Sequence, residues 1–174
     1  MRAALLIFWG LAMKRKAAII QSSLIRNPKK RGEWVELKFM VKAAEYGLGV
    51  SKPWGDSSRY DFGVEGGGGL VRVQVKSTMC RDKGSYACAV RPNLYMGNPY
   101  KKGAFDFLAA YVIPEDVWYI LPAKLVVKGR MGMIILTPSV AGHKYEPYME
   151  AWHLLGTRLV EEIVRQIQGV AACA

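Results

Sequence analysis

The feature that most constrains the fold is a run of four glycines, residues 66–69, between two segments of extended character. The segment that follows, residues 70–77, alternates strictly, so its valines share one face of a strand and its polar side chains share the other. Those polar residues are Arg72, Gln74 and Lys76. Two such segments joined by glycines predict a β-hairpin.

The position of the glycines also predicts the register of this hairpin. If all four form the loop, Glu65 pairs with Leu70, and Asp61 then faces Gln74 across the two strands. Lys76 lies diagonal to Asp61, within reach of a long side chain. A carboxylate, an amide and an ammonium group would therefore meet on one sheet face. Ion pairs across exposed strands are common and stabilise little, so this pattern alone leaves both a functional site and an ordinary surface pair open.

Basic residues are concentrated in the first part of the chain. The 174 residues include 25 Lys or Arg and 14 Asp or Glu, a net charge of +11. Residues 1–102 carry 19 basic and 7 acidic side chains, whereas residues 103–174 carry 6 and 7. This asymmetry favours a face that binds a polyanion, with nucleic acid as the first expectation and an anionic membrane surface as the second.

Two segments supply most of the cations for such a face. Between residues 14 and 31 there are seven basic side chains and no acid, a pattern typical of a solvated face but also of phosphate contact. A loop at residues 91–103 mixes tyrosines with lysines, which suits either nucleic-acid contact or an ordinary surface loop. The candidate DNA-contacting residues are Lys14, Arg15, Lys16, Lys29, Lys30, Arg31, Arg59, Lys101 and Lys102.

Length and composition predict one compact domain. We assign residues 1–28 to an apolar and basic extension and residues 29–174 to a single domain. The apolar run at residues 3–12 is too short to span a bilayer, and no cleavage site follows it. We expect it to be a buried or subunit-contacting helix, or to precede a native start at Met13. The expected protein has no membrane span and is cytoplasmic.

A helix is predicted at residues 32–46 and ends before Gly47. On its apolar side lie Glu36, Met40, Ala43 and Gly47, so Glu36 is expected to point toward the core or a cleft and to need a partner there. The alternative is a glutamate near the helix start that reaches outward to solvent.

The remaining elements are mostly strands. Extended segments are predicted at residues 50–54, 86–90, 105–113, 117–121 and 133–136, the third and fourth covered on both faces. An amphipathic helix is predicted at residues 150–168, with Leu154, Leu155, Leu159, Ile163 and Ile167 facing inward. This order predicts an α/β (α+β) fold with a central mixed β-sheet of about four to five strands flanked by helices.

The order of these motifs resembles the PD-(D/E)xK nuclease superfamily, which has a restriction-endonuclease-like core. The likeness is to its Gln-x-Lys branch, which includes intron-encoded homing endonucleases. The matching residues are at positions 32–36, 59–61 and 73–77, followed by a strand pair at 105–108 and 118–122. The resemblance covers about residues 29–123.

This resemblance implies a Mg²⁺-dependent (or Mn²⁺-dependent) endonuclease that cuts DNA and is associated with the nucleoid through it. Asp61 and Glu36 would be metal ligands, with Gln74 and the main-chain carbonyl of Val75 completing the set. Lys76 would orient or activate the attacking water. A chain of this size holds one copy of the constellation, whereas a duplex has two strands to cut, so we expect a homo-oligomer, a dimer or larger. Gln74 replaces the commoner acid, so a catalytically inactive DNA-binding protein of the same fold is the alternative.

Overall fold

The computed structural model describes residues 26–55, 57–66, 69–91, 100–127 and 132–156. The predicted division of the chain at residue 28 stays a prediction, because residues 1–25 lie outside this part. The elements, in chain order, are α1 (Pro28–Glu45), β1 (Gly49–Ser51), β2 (Phe62–Gly66), β3 (Gly69–Thr78), β4 (Arg81–Asp82), β5 (Ser85–Ala89), β6 (Phe107–Val112), β7 (Val117–Pro122), α2 (Ala123–Val126), β8 (Met133–Leu136) and the 3-10 helices Glu146–Tyr148 and Trp152–Leu155.

Helix α1 begins four residues before the predicted start. The side chain of Asn27 accepts hydrogen bonds from the backbone N–H groups of Lys29 and Lys30, at 3.0 and 3.2 Å, and Pro28 occupies the first turn. Asparagine at the cap and proline in the first turn are both strong helix-start signals. The prediction of a start at Gly32 was wrong because these signals lie inside the basic run.

The buried stripe of α1 consists of Val35, Phe39 and Ala43, spaced four residues apart. Phe39 packs in the centre of the core, with its ring centroid 5.3 Å from that of Phe62. The predicted stripe through Glu36, Met40 and Gly47 was wrong, because it is rotated by one residue and both Met40 and Gly47 are exposed. Glu36 consequently lies at the margin of the core and not inside it.

The central sheet has five strands in the order β1-β2-β3-β6-β7. Strands β3 and β6 are parallel and the other pairs are antiparallel, so the predicted mixed sheet is confirmed. Glu65 pairs with Leu70 and Phe62 with Val73, which confirms the predicted hairpin register. The pairing continues through Gly66 and Gly69, so only residues 67–68 connect the strands.

The two faces of this sheet are covered by different layers. Helix α1 packs on one face, and a smaller antiparallel sheet of β4, β5 and β8 packs on the other. Strands β6 and β7 are therefore buried on both faces, as their continuous apolar character predicted. The sequence predicted β5 and β8 as strands, but it did not predict that they pair with each other in a second sheet.

An ion pair joins the two parallel strands. Arg72 donates from its backbone N–H and its guanidinium to both carboxylate oxygens of Asp106, at 2.8 to 3.1 Å, and the Asp106 N–H donates to the Arg72 carbonyl. Arg72 also donates to the carbonyl of Gly103 at 2.7 Å. The side-chain hydrogen bonds from Arg72 lower the pKa of Asp106. This polar contact ties the loop that precedes β6 to the face of β3 that carries Gln74 and Lys76.

The end of the described chain differs from the prediction. A short 3-10 helix, Trp152–Leu155, stands where the predicted α-helix should begin, so a start at Glu150 was wrong. The rest of that helix, residues 157–168 with Leu159, Ile163 and Ile167, lies outside the described residues. Strand β1 is shorter than the predicted segment 50–54. No helix in the described part is long and apolar enough to cross a membrane.

Candidate active site

The site lies where β2 ends and β3 continues. The last side-by-side pair of these strands is Phe62 with Val73, and the Asp61 N–H still donates to the Val73 carbonyl at 2.9 Å. Beyond that point no strand in the described part of the chain pairs with the β2 side of β3, and we call this stretch the free edge. Oδ2 of Asp61 accepts the Val75 N–H there, at 2.7 Å. The carboxylate therefore replaces the missing strand as the acceptor for this backbone group.

Gln74 holds the same carboxylate from the face of the sheet. Its side-chain Nε2 donates to Asp61 Oδ2 at 2.5 Å, and the residue is only 7% exposed. Both hydrogen bonds thus converge on one oxygen. Oδ1 of Asp61 receives no hydrogen bond from the described residues. The predicted juxtaposition of Asp61 and Gln74 is present, and it leaves one carboxylate oxygen available to a ligand.

Lys76 lies two residues further along the same face of β3. Its Nζ is 5.9 Å from the ring centroid of Tyr100, a distance at which a cation is attracted to an aromatic face. A cavity of about 400 Å³ is lined by these groups; its walls include Asp61, Gln74, Lys76, Tyr100, Arg59 and Lys101.

Glu36 approaches the free edge from helix α1. A second cavity, of about 490 Å³, is lined by Glu36 together with Asp61, Gln74, Val75 and Lys76. The structure thus brings the four predicted catalytic side chains to one cleft. The partner that Glu36 was expected to need is Lys52, whose Nζ lies 2.7 Å from Glu36 Oε2.

The electrostatics of the cleft disfavour an isolated anion at Asp61. Burial is the main cause that raises the pKa of Asp61, and the nearby charge of Glu36 raises it further. The hydrogen bond from the Val75 N–H, the charge of Lys76 and the hydrogen bond from Gln74 each lower this pKa, but the net shift is upward. Two carboxylates in one partly buried cleft are the kind of environment that a bound cation relieves.

The donor atoms fit a hard cation and no softer metal. The described residues contain no group of three or more His, Cys, Asp or Glu side chains that could hold a metal, which argues against a zinc-type site within this part of the chain. Asp61 and Glu36 offer carboxylate oxygens and Gln74 an amide oxygen. The N–H and C=O of a strand residue point to the same edge, so the Val75 carbonyl also faces the site. One or two carboxylates supplemented by neutral oxygens and waters is the ligand set typical of Mg²⁺.

Three of the six predicted DNA-contacting residues that the structure describes line this cleft. Arg31 lines the cavity that contains Glu36, and its Nη1 lies 3.5 Å from the Met79 sulfur. Arg59 and Lys101 line the other cavity, and Lys102 is exposed beside Lys101. Lys29 and Lys30 are exposed in the first turn of α1. Lys14, Arg15 and Lys16 lie outside the described residues.

Sequence reasoning missed two groups at the cleft. Lys52 was counted within a predicted strand, and the only signal for it was the unpaired carboxylate expected at Glu36. Arg91 lines the same cavity as Glu36, although it lies at the start of a loop distant in sequence. Tyr100 lies in the loop that suited either nucleic-acid contact or an ordinary surface, and nothing in the sequence placed its ring beside Lys76.

Comparisons with known proteins identify relatives of the chain. Residues 26–155 match the family described as PD-(D/E)XK endonuclease. The solved structure of a bacterial homing endonuclease, I-Ssp6803I, is similar to this chain, with 28% sequence identity and a TM-score of 0.67. The similarity covers 80% of this chain and 98% of that one. No curated protein sequence matches the chain. The resemblance to the PD-(D/E)xK superfamily and the fold class predicted from the sequence are confirmed.

Replacing Asp61 with Asn should separate cation binding from folding. The variant loses a buried charge, so without divalent cations it should unfold at a temperature no lower than that of the unmodified protein. Mg²⁺ at 100 times its Kd should stabilise the unmodified protein by about 2–3 kcal/mol, because the folded state alone binds it. The variant should lose this response. Thermal unfolding followed by circular dichroism, in EDTA and in Mg²⁺, measures both effects.

The pH dependence has a definite sign. A carboxyl group whose pKa is raised in the folded state stabilises that state while it is protonated. The cation-free protein should therefore lose this stabilisation as pH rises through the raised pKa of Asp61. Protons and Mg²⁺ compete for Asp61, so the Mg²⁺ response should grow over the same range. The exposed Asp82 serves as the control, since Asp82→Asn should leave the response unchanged. Equal responses in the Asp61→Asn variant and the unmodified protein would exclude Asp61 as a ligand.

Proposed function

The chain belongs to the PD-(D/E)XK endonuclease family, and we propose that it hydrolyses DNA phosphodiester bonds with the aid of Mg²⁺ or Mn²⁺. Members of this family typically use divalent metal ions, and the donor atoms at the cleft suit such an ion. The similar bacterial homing endonuclease supports DNA as the substrate. The observation that carries the proposal is the cleft at the free edge of β3, where Asp61, Gln74 and Lys76 share a cavity with Glu36.

Each side chain has a role that follows from its chemistry. Asp61, Glu36, the amide oxygen of Gln74 and the Val75 carbonyl would hold the ion. When bound, the ion would polarise water and offset the negative charge that develops on the phosphate. The hydrogen bond from Val75 keeps the Asp61 carboxylate in one orientation, so that little reorganisation accompanies the reaction.

Lys76 is the cation best placed to act on the reacting atoms. Its Nζ lies 5.9 Å from the centroid of the Tyr100 ring, and its charge lowers the pKa of Asp61. An ammonium group at this position would donate to the attacking water or to a phosphate oxygen. Lys52, on the other side of the cleft, would keep the Glu36 carboxylate paired when no metal is present.

The placement of cations on α1 supports phosphate binding. Lys29 and Lys30 lie in the first turn, which contains no acidic residue. The positive end of the helix dipole makes cations there unfavourable by a few tenths of a kcal/mol or more each, so helix stability does not explain them. Phosphates at a helix N-terminus would reverse this effect.

A catalytically inactive DNA-binding protein is the second candidate, and Gln74 favours it. A neutral amide stands where the commoner family signature has an acid, so two carboxylates remain to hold the ion. Such a protein would bind DNA in the same cleft without cutting it.

Purified protein incubated with Mg²⁺ and either linear duplex or branched DNA tests the proposal. We expect cleavage, and we expect Lys76→Ala to lower its rate by at least 100-fold while DNA affinity changes less than threefold. The reason is that this cation acts mainly as charge develops in the transition state. Gel analysis of products and fluorescence anisotropy measure the two quantities.

Lys124→Ala is the matched control, because Lys124 is exposed on α2 and lines neither cavity. It should leave both quantities unchanged. Binding without cleavage of either DNA, in Mg²⁺ and in Mn²⁺, would support the inactive DNA-binding protein instead.

Replacing Lys29 and Lys30 with alanine should weaken binding to DNA of any sequence. The slope of log affinity against log salt should fall by about 0.9 for each lost phosphate contact, because fewer counterions are released. Thermal stability should stay the same or rise slightly, since two charges leave the positive end of α1. Anisotropy titrations at several salt concentrations test this, and an unchanged slope would remove these lysines from the interface.

We also propose that the active form is a homo-oligomer, a dimer or larger. Each chain supplies one such cleft, and a two-fold axis matches the antiparallel strands of a duplex. Of the contact segments expected from the sequence, the apolar N-terminus and residues 157–168 of the predicted C-terminal helix lie outside the described residues. Light scattering should give at least twice the mass of one chain, and a monomer both free and on DNA would contradict this proposal.

A further inference from the structure

Trp54 is 99% exposed, although an indole is among the largest apolar side chains. It lies in the connection between β1 and β2. In the described part of the chain it belongs to neither core cluster and makes no ring contact. Burial of large apolar side chains is a main source of protein stability, and an indole this exposed gains almost nothing from it. Its solvent-exposed position therefore calls for an explanation outside the fold.

Both ends of this connection reach the cleft. Lys52, two residues before Trp54, is paired with Glu36 at 2.7 Å. Arg59, five residues after it, lines the cavity that contains Asp61 and Lys76. Trp54 is thus carried by a short segment that is anchored at one end to Glu36 through Lys52 and whose other end lines the cavity at Asp61.

The neighbours of Trp54 along the chain indicate what that ligand is. Apart from Asp56, the polar residues of this connection are exposed hydrogen-bond donors, namely Lys52, Ser57, Ser58 and Arg59. Lys52 is paired with Glu36, so Arg59 and the two serines are the groups best suited to contact a phosphate. Cations and hydroxyls beside one exposed aromatic ring are typical of nucleic-acid surfaces, where the cations contact phosphates and the ring stacks on a base. The core of a protein–protein interface is instead depleted of charge, which these neighbours do not match.

We propose that Trp54 stacks on a base of the DNA next to the scissile phosphate, an inference that rests on the proposed nuclease function. Opening a base step in a duplex costs free energy, and stacking on an aromatic side chain returns an amount of similar size. Stacking therefore gives the largest net gain where the step is already open. The favoured substrate is consequently DNA in which a step near the cut is already open or easily deformed, such as a mismatch, a branch point or a pyrimidine–purine step.

The test compares Trp54→Ala and Trp54→Phe on two labelled duplexes, one fully paired and one with a single mismatch, in Ca²⁺ to limit cleavage. The unmodified protein should bind the mismatched duplex more tightly. Trp54→Ala should lose roughly 5- to 100-fold in affinity for it, the equivalent of the stacking energy, while Trp54→Phe should lose less than threefold. The fluorescence of 2-aminopurine at the mismatch should change on binding only when an aromatic residue is present at position 54.

Leu37→Ala is the matched control, because Leu37 is also exposed and apolar but lines neither cavity at the site. It should bind both duplexes as the unmodified protein does. Cleavage assays in Mg²⁺ keep the two proposals apart. If the unmodified protein cleaves DNA and Trp54→Ala binds the mismatched duplex as tightly as it does, the stacking proposal alone is overturned. If the unmodified protein does not cleave DNA but Trp54→Ala still loses affinity for the mismatched duplex, the nuclease proposal alone is overturned. A lower mass of Trp54→Ala in light scattering, with unchanged 2-aminopurine signals, would assign Trp54 to a subunit contact and overturn stacking.

Discussion

Strand β3 is longer than its neighbour β2, and the cleft depends on that difference in length. Buried backbone N–H and C=O groups need hydrogen-bond partners, and a strand that extends beyond its neighbour leaves several of these groups without a strand partner. The Asp61 carboxylate supplies one acceptor, at 2.7 Å from the Val75 N–H, because it follows directly on the point where β2 pairing ends. The same unpaired edge gives helix α1 room to bring Glu36 to the site.

The cleft lowers the stability of the molecule, and the rest of the fold compensates. Burial and a neighbouring carboxylate raise the pKa of Asp61, which means that the ionised site is less stable than the same group in water. The stabilisation that offsets this cost comes from apolar side chains buried on both faces of the central sheet, where most residues of β6 and β7 are buried. The Arg72–Asp106 ion pair then fixes the start of the parallel pairing beside the cleft.

What the sequence predicts well is local. The glycines and the alternating valines define the hairpin register, which ends at the pair Phe62 and Val73. The next residues, Asp61 and Gln74, then meet through a side-chain hydrogen bond. The apolar stripe of α1 was misplaced by one residue because Val35 and Glu36 begin equally plausible helical series. The second sheet could not be predicted, since β5 pairs with β8 across more than 40 residues of chain. Lys52 was missed for a related reason, because an exposed loop lysine has no periodic neighbours to mark it.

The hydrogen bond between Gln74 and Asp61 gives a physical reason for an amide at this position. Asp61 Oδ2 accepts from both the Gln74 side chain and the Val75 N–H, and Glu36 already adds a second negative charge to the cleft. A glutamate at position 74 would remove a donor from Asp61 and add a third negative charge, which would raise the pKa of Asp61 further when no cation is bound. Glutamine avoids that destabilisation and still offers a carbonyl oxygen. The consequence is a weaker charge attraction for a cation, so a larger share of its ligands would be water.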